Sequence, residues 1–372
     1  MTIRRQLVNF GKTCTDFRIG SGALEDLPRL IKSIAGEPKR ALLVHDALPS
    51  EEDLECVRRA LVDTGYSVEF MSLACVPSIA SIETAQRVFA TMESCHITAD
   101  DLLVAVGGVE VCSVVSFCTR TWCSGTSALA IPFTLDAMCT ISTSMRALDA
   151  GSSREMISIQ PGWDMIVCDI DLVVGKAIDQ VGMGYALLLS SAFAQSRRIW
   201  DQFAEKIDGI VDGVEIPLID ALCNTQTARA SAVRSANPSA RNAVNYGVTT
   251  MHALRACLGD DVPDYLLYAE GLRFEARLAH DACGLDVDLV FEQDDRLDDL
   301  GIEELPFKLD VDRFIAALHD ARFVRSNRFM LSLPKNPGSI RLSKVDEDIL
   351  RRHAEAYLAS RAELLEEEED AE

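Results

Sequence analysis

Few side chains in this sequence are of a type and spacing that could do chemistry, and the clearest signal is backbone. Gly107 and Gly108 close the apolar run DLLVAV that starts at Asp101. Glycines directly after a strand let backbone N–H groups approach a pyrophosphate, and a helix starting there adds the positive end of its dipole. The same pair serves equally as a plain tight turn. Twelve cysteines are scattered from Cys14 to Cys283 with no C-x-x-C pair, and Cys118 and Cys123 are too isolated for a zinc knuckle. They read as reduced thiols, several of them small core residues. A reactive thiol at Cys112 or Cys139 is the minor reading, because nothing close in sequence clearly lowers a thiol pKa. The six histidines are dispersed over the whole chain, so no histidine cluster is visible.

The elements that must position these residues change character midway. Apolar runs over 40–47, 66–74, 101–107 and 127–132 read as strands. Helical patterns over 50–64, 82–92 and 112–122 separate them. Strands alternating with helices imply a doubly wound parallel sheet, whose ligands bind beyond the carboxyl ends of the strands. From about residue 172 long helical stretches dominate, over 176–196, 198–211, 217–235, 242–258, 266–283, 311–323 and 344–368, with a short strand at 329–334. The expected organisation is an α/β nucleotide-binding domain over 1–172 and a mostly α-helical domain over 173–372.

The net charge of -22 repels nucleic-acid phosphates and anionic lipid, so neither a nucleic acid nor a membrane is an expected partner. Part of that charge is the tail ELLEEEEDAE from Glu363, read as a solvated, frayed helix end. The start MTIRRQLVNF has no long apolar region behind its arginines, and no run reaches membrane-spanning length. A cytoplasmic protein is expected.

With these elements in place, the chain resembles the 3-dehydroquinate synthase family, whose pattern is roughly L-V-A-x-G-G-G-V-x-G-D, R-G, V-P-T-T-L, V-D-S-S-x-G-G-K and G-K-N-M-I-G. The matching segment runs over 101–161, and the resemblance extends over about 15–335, strongest at 101–172 and 240–256. It implies a dehydroquinate synthase-like fold, a homodimer, NAD and zinc. It also implies a reaction that oxidises a heptulosonate phosphate, eliminates phosphate, reduces the product again and closes a ring. For NAD, the resemblance points to Asp46 as the ribose contact (equally an ordinary loop aspartate), with Gly107 and Gly108 at the pyrophosphate turn and Pro132 and Thr134 matching V-P-T-T. Val109 replaces the third glycine, Cys112 and Ser113 replace G-D, Phe133 replaces the first threonine, and Pro77 and Ala80 replace a nucleotide-gripping Glu and Lys. NAD is therefore expected to bind weakly.

The family's zinc ligands align with residues of a different kind. The stretch GYALLLSSA from Gly184 matches G-L-A-E-V-I-K-Y-G and puts Leu187 at the glutamate and Ser190 at the lysine. VNYGVTTMHALR from Val244 matches the L-N-L-G-H-T-x-G-H segment and puts Val248 at the first histidine. LYAE from Leu267 matches L-H-G-E and puts Tyr268 at the second. Leucine and valine offer zinc no lone pair, so no zinc is expected. Ser124 and Thr140 replace an arginine and an aspartate of the substrate site. Arg146, Arg154, Arg241, Asn245, His252 and Arg322 align with substrate-binding positions and form a candidate site for a small anionic ligand. Against that stands ordinary pairing with an acidic surface, and for His252 an ordinary structural histidine. The sequence thus reads as a degenerate homologue, a pseudoenzyme with a binding or assembly role. The alternatives are a divergent sugar-phosphate cyclase or an active 3-dehydroquinate synthase.

Overall fold

The computed structural model describes residues 3–371 apart from 12, 34–36, 38, 39, 77, 144, 145 and 152, with side chains as far as Glu366. The chain forms two compact units, Met1–Lys176 with Asp212–Gln226, and Ala177–Val211 with Thr227–Glu372. The segment 212–226, placed on sequence with the helical half, packs in the first unit. There Asp220 pairs with Arg4, Gln6 Nε2 donates to the Cys223 carbonyl (3.0 Å), and Gln226 Nε2 donates to the Met138 carbonyl (2.7 Å).

In the first unit the chain runs β1 (Arg4–Asn9), β2 (Cys14–Gly20), α1 (Leu27–Ile31), β3 (Arg40–His45), α2 (Glu51–Asp63), β4 (Ser67–Ser72), α3 (Ile82–Ser94) and β5 (Leu102–Gly107). It continues through α4 (Val109–Thr121), β6 (Ser127–Pro132), α5 (Leu135–Thr140), β7 (Leu148–Ala150), β8 (Ser153–Ile157) and β9 (Met165–Asp169). Seven strands form one sheet in the order β1-β2-β9-β6-β5-β3-β4, antiparallel at β1–β2 and parallel elsewhere. Alternate strand residues face opposite ways. Leu43, Val104, Val106, Leu129, Ile131 and Val167 bury against α1 and α2. Their neighbours Leu42, Val44, Leu103, Ala105, Ala130 and Ile166 are equally buried, and α4 packs on β5 and β6. The doubly wound sheet expected from the strand–helix alternation is therefore present. Its strand order reverses between β3 and β5, and that switch point is where such sheets bind ligands.

Helix starts follow local capping chemistry. Ser50 and Asp53 form a reciprocal capping box on α2, and Ser81 caps α3 by accepting from the Thr84 N–H (3.1 Å). Helix α4 starts at Val109, three residues before the pattern alone suggested, because Gly108 supplies the extended N-cap directly after β5.

The second unit contains α6 (Ile178–Gln195), α7 (Arg197–Ala204), α8 (Ile207–Val211), most of the C-terminal half of α9 (Glu215–Arg234), α10 (Pro238–Arg241), α11 (Val248–Leu258) and α12 (Asp264–Cys283). It is completed by α13 (Val287–Asp299), α14 (Val311–Phe323), the hairpin β10 (Met330–Asn336) with β11 (Ser339–Lys344), and α15 (Glu347–Ala371). The helix expected over 242–258 is a short 3-10 turn over 242–245 followed by α11, because Gly247 adopts φ +80° between them. A Cβ on Gly271 would lie 2.2 Å from the Gly247 carbonyl oxygen, so glycine at 271 lets α12 touch the start of α11. Among the described residues no helix is long and apolar enough to cross a membrane.

Candidate functional site

In the first unit the site forms at the switch point. β3 ends one residue before Asp46, and β5 ends at Gly107. The buried Asp46 carboxylate accepts from the Leu48 N–H (2.9 Å) and the Gly108 N–H (2.8 Å), tying the two strand ends together. Gly107 has φ +144°, and a Cβ there would lie 2.4 Å from both carboxylate oxygens. The glycine thus makes room for Asp46. This carboxylate is occupied by backbone donors, one of which is a donor the glycine turn would offer a phosphate.

Pro132 is buried and pairs with Gly107 across the sheet, and the Phe133 N–H donates to the Gly107 carbonyl (2.9 Å). Thr134 precedes α5, and its hydroxyl oxygen lies 4.0 Å from where a Gly108 Cβ would stand. That buried oxygen has no hydrogen-bond partner among the described residues. An orphaned hydroxyl beside a glycine turn at a switch point fits a polar ligand. Gly107, Gly108, Pro132, Thr134 and Asp46 are therefore brought together, and a dinucleotide fits in part. Pro77 lies outside the described residues, and Ala80 is fully buried. Cys112 is buried, and burial first, then the Asp46 and Asp136 carboxylates, push its thiol well up. That agrees with the reading of these cysteines as small core residues; Cys139 is likewise buried.

Arg146 is enclosed by carboxylates. It meets Glu110 at 3.1 Å, Asp149 at 3.2 Å and Glu155 at 3.6 Å. Glu155 holds φ +52°, and its N–H donates to Asp149 Oδ1 (2.8 Å). The guanidinium expected to receive an anion is thus already compensated by internal anions. Arg154 is exposed on β8.

The second unit holds the positions aligned with zinc ligands. Leu187 is buried on α6, Val248 is half-buried at the first turn of α11, and Tyr268 is buried on α12. The Tyr268 hydroxyl donates to Ser190 Oγ (3.1 Å), which donates to the Leu187 carbonyl (3.2 Å). The residue at a histidine position therefore bonds to the residue at the family's lysine position. Two hydrocarbon side chains and a phenol already engaged elsewhere do not fit a zinc site. Among the described residues no three His, Cys, Asp or Glu side chains are grouped to hold a metal ion.

Of the other candidates in this unit, Arg241 and Asn245 are exposed, and Asn245 Nδ2 donates to Asn242 Oδ1 (3.2 Å). His252 is half-buried on α11. Arg322 is half-buried near the end of α14, and its Nε donates weakly to the Arg328 carbonyl (3.4 Å). A small cavity is lined by Ser190, Ser191, Ala194, Ala228, Arg229, Ala232, Ala243 and Val244. Arg229 is buried there, and Ser191 Oγ is a buried oxygen with no partner among the described residues.

Sequence reading passed over two buried carboxylates on α12. Glu275 accepts from the Gly247 N–H (2.8 Å), the Thr250 N–H (3.4 Å) and the Thr250 hydroxyl (2.9 Å), and so caps α11 from inside the core. Burial outweighs those donors and pushes its carboxyl up to about 7. Glu270 is the last residue of LYAE. It accepts from Arg361 Nε (2.6 Å), Arg273 Nη1 (3.3 Å), the Leu305 N–H (3.2 Å) and the Tyr357 hydroxyl, binding α12 to α15. The signal that could have found it was its place in that motif, taken as a residue in its own right.

Comparison with known proteins now adds to this geometry. No protein-family model matches the chain. The 3-dehydroquinate synthase of Thermobifida fusca is 24% identical over 317 residues, 81% of this chain and 82% of that protein. A structure of 2-deoxy-scyllo-inosose synthase complexed with carbaglucose-6-phosphate, NAD+ and Co2+ superposes with a TM-score of 0.81 at 15% identity, covering 94% of this chain and 99% of that one. The 2-epi-5-epi-valiolone synthase of Streptomyces hygroscopicus, with NAD+ and Zn2+ bound, gives 0.78 at 16% identity, covering 94% and 97%. The fold is that of the dehydroquinate synthase-like sugar phosphate cyclases. In sequence the chain is similar to 3-dehydroquinate synthases, at 21–24% identity among curated relatives.

Proposed function

We propose that this chain is a family member without the family's cyclisation activity, serving as a binding or assembly protein. The observation that carries this reading is the bond from Tyr268 to Ser190 beside Leu187. In the family reaction a metal polarises the hydroxyl that loses hydride. Here the aligned positions offer two aliphatic side chains and a phenol bonded to serine. No step through a metal is derived for this chain. Losing groups that act as a unit removes far more rate than losing one of them.

The residues toward NAD are a different matter. Gly107, Gly108 and Thr134 would hold a dinucleotide's phosphates and adjoining groups, which when bound would supply hydride chemistry. Asp46 would have to release the Gly108 N–H to reach a ribose. The expected result is weak NAD binding. A small anionic ligand remains part of the reading, with Arg241, Asn245 and Arg322 of the second unit as the candidates rather than the compensated Arg146. A homodimer and a cytoplasmic location complete it.

The test is calorimetric titration of the purified, metal-stripped protein with zinc and then with NAD. The reading expects no tight zinc site and NAD affinity no better than tens of micromolar. One tightly bound zinc per chain, lost on His252→Ala, would overturn it. The second reading is a divergent, metal-independent cyclase. The cavity at Ser190, Ser191 and Arg229 favours it, because it offers buried polar groups close to the family's lysine position. Turnover of any sugar phosphate without added metal would favour that reading.

A further inference from the structure

Three helices of the second unit carry the positions aligned with metal ligands: α6 with Leu187, α11 with Val248 and α12 with Tyr268. A metal held by one side chain from each would cross-link the three helices, and its binding free energy would count toward folding. Leu187 and Val248 offer a metal no lone pair, so any such cross-link has to be made by the protein itself.

Helix α12 makes it at two places. A Cβ on Gly182 of α6 would lie 2.6 Å from the Tyr265 ring, and one on Gly271 would lie 2.2 Å from the Gly247 carbonyl oxygen. Glycine at both positions therefore brings α6 and the start of α11 within side-chain reach of α12. At the first approach Tyr268, one turn after Tyr265 and on the same face of α12, donates to Ser190 Oγ (3.1 Å), and both side chains are buried. At the second, the fully buried Glu275, one turn after Gly271, accepts from the Gly247 N–H (2.8 Å) and the Thr250 hydroxyl (2.9 Å). Helix α11 has no side-chain cap of its own, because glycine stands at its N-cap. Glu275 thus satisfies donors that the helix start would otherwise leave orphaned. A second path joins the same ends: the Tyr246 hydroxyl donates to Gln293 Oε1 (2.8 Å), and Gln293 Nε2 donates to the Leu272 carbonyl (3.1 Å).

We propose that α6, α11 and α12 are held together by a protein-only clasp, Tyr268 with Ser190 and Glu275 with Gly247 and Thr250, which does the cross-linking that a metal at 187, 248 and 268 would do. The second unit then folds without a metal. The clasp presupposes the proposed function, in which no metal binds at these positions. It adds a structural role for residue 268 that a merely vacated ligand position would not have. A histidine placed at 268 breaks the α6 limb before any metal enters.

The experiment is urea denaturation and amide hydrogen exchange on the full chain. For the α6 limb, Tyr268→Phe, Ser190→Ala and the double variant are compared with the wild type, all stripped of metal. Each single variant should raise the unfolding constant about fivefold. The double variant should also raise it about fivefold rather than about 25-fold, because the same bond is lost in all three. For the α11 limb, Glu275→Ala should speed exchange over 247–251 about tenfold, whereas Glu275→Gln, which keeps an acceptor, should not. Finally, the wild type and the variant combining Leu187→Glu, Val248→His and Tyr268→His are denatured in EDTA and in excess zinc. The wild type should be indifferent. The variant should be the less stable in EDTA, and zinc at 100 times its dissociation constant should lower its unfolding constant about 100-fold. Additive losses in the cycle, unchanged exchange in Glu275→Ala, or a triple variant that zinc leaves unchanged would each overturn the clasp and leave the absence of a metal site standing. Stabilisation of the wild type by zinc would overturn both.

Discussion

Replacing Glu275 by glutamine should remove one defined segment of the protein's pH-dependent stability. Glu275 is fully buried, and its carboxyl is pushed from 4.5 to about 7 by burial, against the opposing N–H and hydroxyl donors of Gly247 and Thr250. One pKa unit corresponds to about 1.4 kcal/mol, so the displacement is worth about 3 kcal/mol. Its sign is set by the raised value. Below pH 4.5 the carboxyl is protonated in both folded and unfolded chains and contributes nothing. Between 4.5 and 7 the unfolded chain releases the proton and the folded chain keeps it, so stability falls as pH rises. Above 7 both forms are ionised and the penalty is constant. Glutamine keeps an oxygen for the Gly247 N–H and does not ionise. Urea denaturation of both proteins from pH 4.5 to 8 isolates this group, since the other carboxylates cancel in the difference. We expect the variant to gain about 3 kcal/mol on the wild type between pH 4.5 and 7.5 and the difference to level off above that. A difference that stays flat within about 0.5 kcal/mol would refute the reasoning that burial dominates at this carboxylate.

Three further outcomes are expected. Tyr268→Phe should cost about 1 kcal/mol through the lost bond to Ser190, whereas Leu187→Glu, Val248→His and Tyr268→His together should create measurable zinc binding by elemental analysis without restoring turnover. Asp46→Ala should cost about 2–3 kcal/mol in chemical denaturation, since two backbone N–H donors lose their acceptor, and Gly107→Ala should be comparably damaging because its Cβ would overlap the same carboxylate. Glu270→Ala should cost about 3–5 kcal/mol by leaving the Arg361 and Arg273 guanidiniums buried with a partner lost, while Glu270→Met combined with Arg361→Leu should cost less than Glu270→Ala by the same assay.

What the sequence disclosed and what it withheld divide along physical lines. β3, β5 and β6 are unbroken apolar runs, and the capping residues Ser50 and Ser81 lie beside their helices, so local pattern was enough. β1 alternates little and is exposed along most of its length, and β9 is only five residues, so neither stood out until pairing with β2 revealed them. α13 was missed because its run of aspartates looks like solvated loop, although Leu289, Val290 and Leu297 share a buried face. The site divides in the same way. The residue types at 187, 248 and 268 can be read from the chain alone. That Asp46 binds backbone, that three carboxylates surround Arg146, and that Glu270 and Glu275 are interior depend on contacts across 28 to more than 90 residues of sequence or between neighbouring loops.

The most direct measurement is phosphate release from the heptulosonate phosphate by the unmodified protein, with zinc and NAD both in excess. Supplying both groups removes scarcity as an explanation and leaves only what Leu187, Val248 and Tyr268 can do with them. A release rate indistinguishable from the no-protein control is the expected result. Release well above that control, abolished by replacing Arg241 or His252, would contradict the proposal that this chain lacks cyclisation activity.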